Sequence, residues 1–369
     1  MPVNPSVISL LIKPAGPDCN LRCTYCFYRQ KSDMFPGVKE HRMKASTLER
    51  LIEQGMEAGR DLAQFSWQGG EPTLMGLDFF KRVVELQAAN LREGQIVTNA
   101  LQTNATLLDN KWAEFLAAYN FLVGVSLDGP AIFHDHYRRD SKKTGSYARV
   151  IQSIRMLLEA GAEVNILVLL NDRNVREPDR VYDALLETGV KYFQFVPCLE
   201  PGPGGMPAFY SITPEQYGEF LCRIFDRWLD SPMDISVRDF DDLMLMLQGQ
   251  PSNTCITQPR CGGYMLVEHT GDVFPCDFFV LPKWKLGNLN ETPLSELRFS
   301  PKLREFGEQK TMLSDACREC PWLRFCYGGC IKHRIILGGS PSDPSYFCSS
   351  YKMFFEYATS VLEEIQRIS

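Results

Sequence analysis

Cys19, Cys23 and Cys26 stand in C-x3-C-x2-C spacing on one short loop, directly after an apolar stretch. Three thiolates on one loop can hold one metal centre. A structural zinc site wants four ligands, usually delivered as C-x2-C pairs, whereas a four-iron cluster can be held through three irons and leave the fourth open. The missing fourth ligand is therefore the informative feature. A second set of thiols fills the C-terminal third: Cys255, Cys261, Cys276, Cys317, Cys320, Cys326, Cys330 and Cys348. Two four-iron clusters with complete thiolate ligation need eight. Pairs such as Cys317 and Cys320 would equally serve two zinc sites. Cys198 and Cys222 are left over and read as ordinary buried thiols.

The elements that must position these groups follow a β-then-α rhythm. A buried strand over 7–13 is broken by Pro14 and Pro17 just before the first thiol. A helix over 46–58 and a strand over 63–67 lead to the turn Gly69-Gly70-Glu71-Pro72. A helix over 77–90 then feeds a strand over 96–102 that ends in Gln102, Thr103 and Asn104. A helix over 109–118 feeds a strand over 121–127, whose end carries Ser126 and Asp128. Helices over 147–160 and 175–187 alternate with strands over 163–169 and 192–197. Strands separated by helix-length connections imply right-handed parallel crossovers, and six in series predict an open or partial (β/α)6 barrel. Active sites of such barrels lie at strand C-termini. The polar motifs just named fall there.

Residues 200–207 are rich in Pro and Gly and read as a loop over the barrel mouth. An amphipathic helix over 214–229 places Phe220, Ile224 and Trp228 on one face. Past 234 the rhythm is expected to stop while cysteine density rises, which divides the chain into 1–234 and 235–369. In the second part, 264–275 reads as a β-hairpin, turning at Thr270 and Gly271, that delivers Cys276 towards the barrel. A helix over 351–368 closes the chain.

The chain has 369 residues, net charge −6 and no Lys/Arg cluster, so neither nucleic acid nor an anionic membrane is expected as a partner. Its apolar runs, such as 121–127, are strand-length and too short to span a bilayer. The N-terminus lacks a basic region and a small-residue cleavage site and reads as a first strand. A cytoplasmic location is expected, and there thirteen cysteines argue for metal over disulfides.

With Tyr25 before its last Cys, the first loop resembles the signature of the radical S-adenosylmethionine (SAM) enzymes, whose open iron chelates the amino and carboxylate groups of SAM. The turn at Gly69, Gly70 and Glu71 matches that family's second signature. The resemblance implies that backbone and carboxylate there receive the SAM amino group. It places Tyr25 beside the cluster, Ser126 on the ribose, Arg138 on the carboxylate and Leu199 in the adenine pocket. The eight later thiols resemble the SPASM domain. By that resemblance Cys255, Cys261, Cys276 and Cys330 hold a nearer auxiliary cluster and Cys317, Cys320, Cys326 and Cys348 a farther one, giving three [4Fe-4S] clusters in all.

Cys276-Asp-Phe-Phe-Val280, Trp284-Lys-Leu-Gly-Asn288, Leu11-Ile-Lys-Pro14, Cys26-Phe-Tyr28 and Gln68-Gly-Gly-Glu-Pro72 together resemble the anaerobic sulfatase-maturating enzymes, nearly end to end. That family oxidises a Cys or Ser in a sulfatase polypeptide to Cα-formylglycine. The implied mechanism begins when a 5'-deoxyadenosyl radical abstracts a Cβ hydrogen. Asp277 is then the candidate acceptor of the proton and the nearer auxiliary cluster that of the electron. An Asp that merely caps the hairpin is the alternative for Asp277. The implied partners are a sulfatase polypeptide and an electron donor such as flavodoxin or ferredoxin. Two further readings stay open: a radical SAM/SPASM enzyme modifying another side chain, and a non-catalytic metal-binding interaction protein. Thioether-forming and cross-linking relatives often carry an N-terminal leader-binding domain. This chain reaches its first strand almost at once, and none is expected.

Overall fold

The computed structural model describes residues 6–368. The strands are β1 Val7–Lys13, β2 Leu62–Trp67, β3 Ile96–Thr103, β4 Leu122–Ser126, β5 Glu163–Leu170, β6 Tyr192–Pro197, β7 Ser236–Val237, β8 Met265–Glu268, β9 Asp272–Phe274 and β10 Gly287–Asn288. No helix among the described residues is long and apolar enough to cross a membrane. The chain forms two compact units, and both are discontinuous in sequence.

The first unit comprises the chain up to Ser126, Asp135–Asn165 and Gly262–Phe306. Its strand order is β10-β9-β8-β1-β2-β3-β4. β1 to β4 pair in parallel, in step with the βαβ rhythm. The expected hairpin is present as β8 and β9, paired Leu266↔Phe274 and Val267↔Val273. It does more than turn: β8 lies parallel to β1, from Leu10↔Met265 to Lys13↔Glu268. β1 thus has β2 on one edge and β8 on the other, so the parallel series is open, as the partial barrel requires.

The second unit comprises Leu127–His134, Ile166–Cys261 and Gly307–Ser369. Three sequence expectations are corrected here. The helix expected over 175–187 is a short 3-10 turn, Asn174–Arg176, followed by an α-helix, Pro178–Leu186. Pro178 bars its predecessor from helical backbone, and Glu177 accordingly sits at φ −132°, ψ 55°. The β/α rhythm does not stop at 234, since β7 pairs in parallel with β6 and leads into the helix Arg238–Leu247. A two-residue strand carries too little pattern to read. The closing helix begins at Cys348. Helix Pro214–Leu229 is where it was expected because Thr213 and Gln216 form a capping box and Pro214 occupies its first turn. It buries Phe220, Ile224 and Phe225, with Trp228 half-buried. Phe225, Phe240 and Phe354 meet there with ring centroids 5.2–5.8 Å apart.

Asp239, in the first turn of helix Arg238–Leu247, has an enclosed Oδ2 with no hydrogen-bond partner. Burial pushes its carboxyl from the usual 3.8 up to about 7. A raised carboxyl disfavours the fold once it ionises, so its stabilising protonated form is complete below about pH 4 and is lost as pH rises to 7. Asp239→Asn should therefore match the parent's thermal midpoint near pH 4 and exceed it by a growing margin up to pH 7. The margin corresponds to at most about 4 kcal/mol, and paired thermal scans would measure it.

Candidate functional site

The first thiol loop is pinned from three sides within the first unit. Asp18, just before Cys19, accepts from the His41 backbone and ring, both at 2.8 Å, and from Arg42 at 2.6 Å. The Asp18 carbonyl accepts the Glu71 N–H at 2.7 Å, and the Arg22 N–H donates to the Arg139 carbonyl at 2.6 Å. That last strap brings Arg138 over the Tyr25 ring, 5.5 Å from its centroid, with the Tyr137 ring tilted against Tyr25 at 5.3 Å. Two of the four expected SAM contacts therefore lie together at the loop. Ser126, at the end of β4, accepts from Gln102 Nε2 at 3.2 Å. Leu199 is fully buried just beyond β6 in the second unit. Burial, and next the Glu71 carboxylate, push the Cys19 thiol up to about 12. Metal binding there must displace a proton.

Gly69 and Gly70 adopt φ +92° and +49°. The close approach they allow is to the chain itself: a Cβ on Gly69 would lie 1.9 Å from Lys13 Cδ, and one on Gly70 2.0 Å from the Asp18 carbonyl. Glu71 is likewise turned inward. Its carboxylate accepts from Thr73 N (3.1 Å), Thr73 Oγ1 (2.6 Å), Thr103 Oγ1 (2.7 Å) and Asn104 N (2.8 Å). Three of these donors meet Oε1 and one meets Oε2, so the carboxylate locks the glycine turn to the end of β3 and keeps acceptor capacity at Oε2 for an ammonium.

Asp277 follows Cys276 at the end of the hairpin and is buried. Its Oδ1 accepts from Tyr264 OH at 3.1 Å, while Oδ2 faces Lys13 Nζ at 4.0 Å. Tyr264 OH also lies 3.3 Å from Cys276 Sγ. Lys13 ends β1, is 1 % exposed, and sits 4.3 Å from the Tyr28 ring centroid. Burial pulls its ammonium below the usual lysine range, opposed by Asp277 and then Glu268. Tyr28 donates to Glu268; burial and that carboxylate hold its phenol well above 10. Beneath this network Tyr28, Leu266, Phe274 and Val280 form a buried apolar cluster with Leu11, Cys26, Phe27 and Met34 packed on it. Cap or base, Asp277 is fixed beside the thiol loop. Lys13→Met should destabilise the fold by roughly 3–5 kcal/mol, because it strands buried carboxylates. Adding Glu268→Gln should recover part of that loss in thermal unfolding; strictly additive losses would show that the two charges do not compensate.

In the second unit, Cys317, Cys320, Cys326 and Cys348 line one cavity, with room left by Ala316, Gly328 and Ser345. Four thiols around one hollow fit a completely ligated cluster. Cys261 and Cys330 lie beside two buried cations, Lys310 and Arg334, 1 % and 4 % exposed, and Cys255 lies beside the first. Lys310 Nζ donates to the Cys255 and Ile256 carbonyls at 2.9 and 2.7 Å. Arg334 donates to five carbonyls, those of Gly328, Lys310, Met312, Pro341 and Tyr327. Burial pulls both cations below their usual ranges, and the groups that oppose it are thiols: Cys261, Cys330 and Cys255 for Lys310, and Cys317, Cys261, Cys330 and Cys326 for Arg334. Buried cations compensated by thiolates suit an anionic thiolate-ligated centre. Lys310→Met should lower iron by about four atoms per chain with helix content intact. Parental iron in the folded variant would show that this charge is dispensable.

Residues 14–185 match the radical SAM superfamily, and residues 255–321 match the iron-sulfur cluster-binding domain SPASM. The chain is 37 % identical to the cysteine-type anaerobic sulfatase-maturating enzyme of Clostridium perfringens, over 95 % of this chain and 96 % of that one. It is also 34 % identical to the serine-type enzyme of Bacteroides thetaiotaomicron, over 97 % and 91 %. This chain belongs to the anaerobic sulfatase-maturating enzymes. Its structure superposes with a TM-score of 0.90 on native anSMEcpe with bound AdoMet and Cp18Cys peptide, at 36 % identity, covering 98 % of this chain and 100 % of that one. SuiB of Streptococcus suis, at 17 % identity and TM-score 0.66, shares the fold.

Sequence reading assigned no role to Lys13, Tyr28, Tyr264, Glu268, Asn104, Lys310 or Arg334. Lys13 and Glu268 each left a trace, a charge at the end of an apolar strand. For the others spacing carries no signal, since their partners come from remote parts of the chain.

Proposed function

We propose that this maturating enzyme oxidises the side chain of a Cys or Ser in a sulfatase polypeptide to Cα-formylglycine, with Asp277 as the proton acceptor. The observation that carries the reading is a buried carboxylate adjoining a cysteine of the expected auxiliary set, fixed at both oxygens and joined through Lys13 to the thiol-loop side of the barrel. When bound, the cluster on Cys19, Cys23 and Cys26 with SAM supplies the acceptor for the Cβ hydrogen atom, and the auxiliary clusters supply that for the electron.

The residues present do the rest. Tyr25 and Arg138 flank the first loop, where an aromatic face and a guanidinium suit the sulfonium and carboxylate of SAM. Ser126 offers a hydroxyl, and Leu199 an apolar wall for adenine. Asp277 accepts the proton of the substrate thiol or hydroxyl at a carboxylate oxygen as the carbon–heteroatom double bond forms. Lys13 balances the carboxylate, and Tyr264 keeps it oriented. For a Cys substrate, water then releases the sulfur as sulfide. Relatives of both the cysteine and the serine type support including both residues. We assign residues 1–234 the radical chemistry and 235–369 the auxiliary centres, with a flavodoxin- or ferredoxin-like reductant in the cytoplasm.

Asp277→Asn keeps the shape and removes the base. With a Cys-containing sulfatase peptide under anaerobic conditions, the variant should keep its full iron and still form 5'-deoxyadenosine while yielding little formylglycine. Both products are read by mass spectrometry from one reaction. Parental formylglycine yield at full iron would return Asp277 to the role of a hairpin cap.

A further inference from the structure

Asn104 stands one residue beyond β3 and is 7 % exposed. Its Oδ1 accepts from Thr106 N at 3.0 Å and Thr106 Oγ1 at 2.7 Å. A backbone N–H can only donate, so the amide has one orientation and its Nδ2 points the other way. Nδ2 has two hydrogens and two acceptors: Asn20 Oδ1 at 2.9 Å and Cys19 Sγ at 3.6 Å. The Leu21 N–H donates to the same sulfur at 3.3 Å. The Asn104 backbone N–H meets Glu71, which links the glycine turn, the end of β3 and the first thiol in one chain of bonds.

We propose that Asn104, through its Nδ2–H···Sγ bond to Cys19, sets the reduction potential of the centre held by Cys19, Cys23 and Cys26 and makes its reduced state easier to reach. Adding one electron increases the negative charge shared by the thiolate sulfurs. An N–H aimed at one of them favours the more negative state, and hydrogen bonds to sulfur are a recognised lever on cluster potential. Cys19 is half-buried with the Glu71 carboxylate near it, so an N–H donor at its sulfur offsets an adjacent negative charge. Asn104 is a positioning and tuning residue here and touches no substrate. The inference rests on these three cysteines holding one SAM-binding cluster.

The test is an anaerobic potentiometric titration of the reconstituted enzyme, following the EPR signal that changes on mixing with SAM before freezing. In Asn104→Ala the reduced-to-oxidised ratio at a fixed potential should fall about tenfold, which for one electron is about 59 mV. Asn104→Asp keeps the acceptor for Thr106 but replaces the donor with an anion, and it should fall further. Asn20→Ala removes the Asn104–Asn20 bond and an amide oxygen 3.9 Å from the sulfur while sparing the N–H···S contact, and its ratio should not fall by more than about twofold. If Asn104→Asp does not assemble its cluster, Asn104→Ala alone decides. A parental potential in Asn104→Ala, or an equal shift in Asn20→Ala, overturns the proposal. Cys19→Ala separates the two levels: loss of the SAM-responsive signal upholds the underlying cluster reading, and its persistence overturns both.

Discussion

A lysine ammonium with almost no access to water is the constraint on which the first unit depends. Lys13 ends a strand whose other edges are hydrogen-bonded and apolar, so its charge has to be met by groups brought from elsewhere in the chain. Those groups are Asp277 and Glu268, with the Tyr28 ring beside them. A buried charge without such partners is strongly unfavourable. The hairpin therefore cannot drift from β1 without stranding a cation on one side and two carboxylates on the other. The same side chain fills the space above Gly69 and so makes that glycine obligatory. One residue thus ties the turn after β2, the aromatic beyond the thiol loop and the carboxylate beside Cys276.

The second unit meets the same electrostatic problem, buried cations, with different partners. Its buried cations, Lys310 and Arg334, are anchored to backbone carbonyls, which hold position but do not neutralise charge. Thiols surround them, and burial pushes Cys261 up to about 11, so the balancing negative charge comes with metal ligation of these sulfurs. In both units the charged side chains are already anchored, the condition under which a site keeps its geometry when charge moves.

The chemistry-bearing thiols, the glycine turn and the hairpin were legible because each is local: Cys23 and Cys26 are three residues apart, and β8 and β9 are joined by a tight turn. The relation between these pieces was not legible. Tyr28 and Glu268 are separated by 240 positions, and neither neighbourhood hints at the other. Glu71 reads as an acceptor for an ammonium from its place beside two glycines, but its hold on Thr103 and Asn104, 32 and 33 positions away, leaves no mark in the local pattern. Local backbone rules explain the smaller departures, such as the interruption before Pro178 and the two-residue β7.

The parallel pairing of β8 with β1 also sets an order of assembly. The outer edge of β1 is completed only when Met265 to Glu268 emerge, about 250 residues after it. At roughly 5–20 residues per second that interval is on the order of 10–50 s. Throughout it the nascent chain carries an uncovered strand edge, a hazard for wrong pairing, alongside a thiol loop that the hairpin has not yet covered. The hairpin that closes this edge also carries Cys276 at its end, so covering β1 and placing that thiol are a single event.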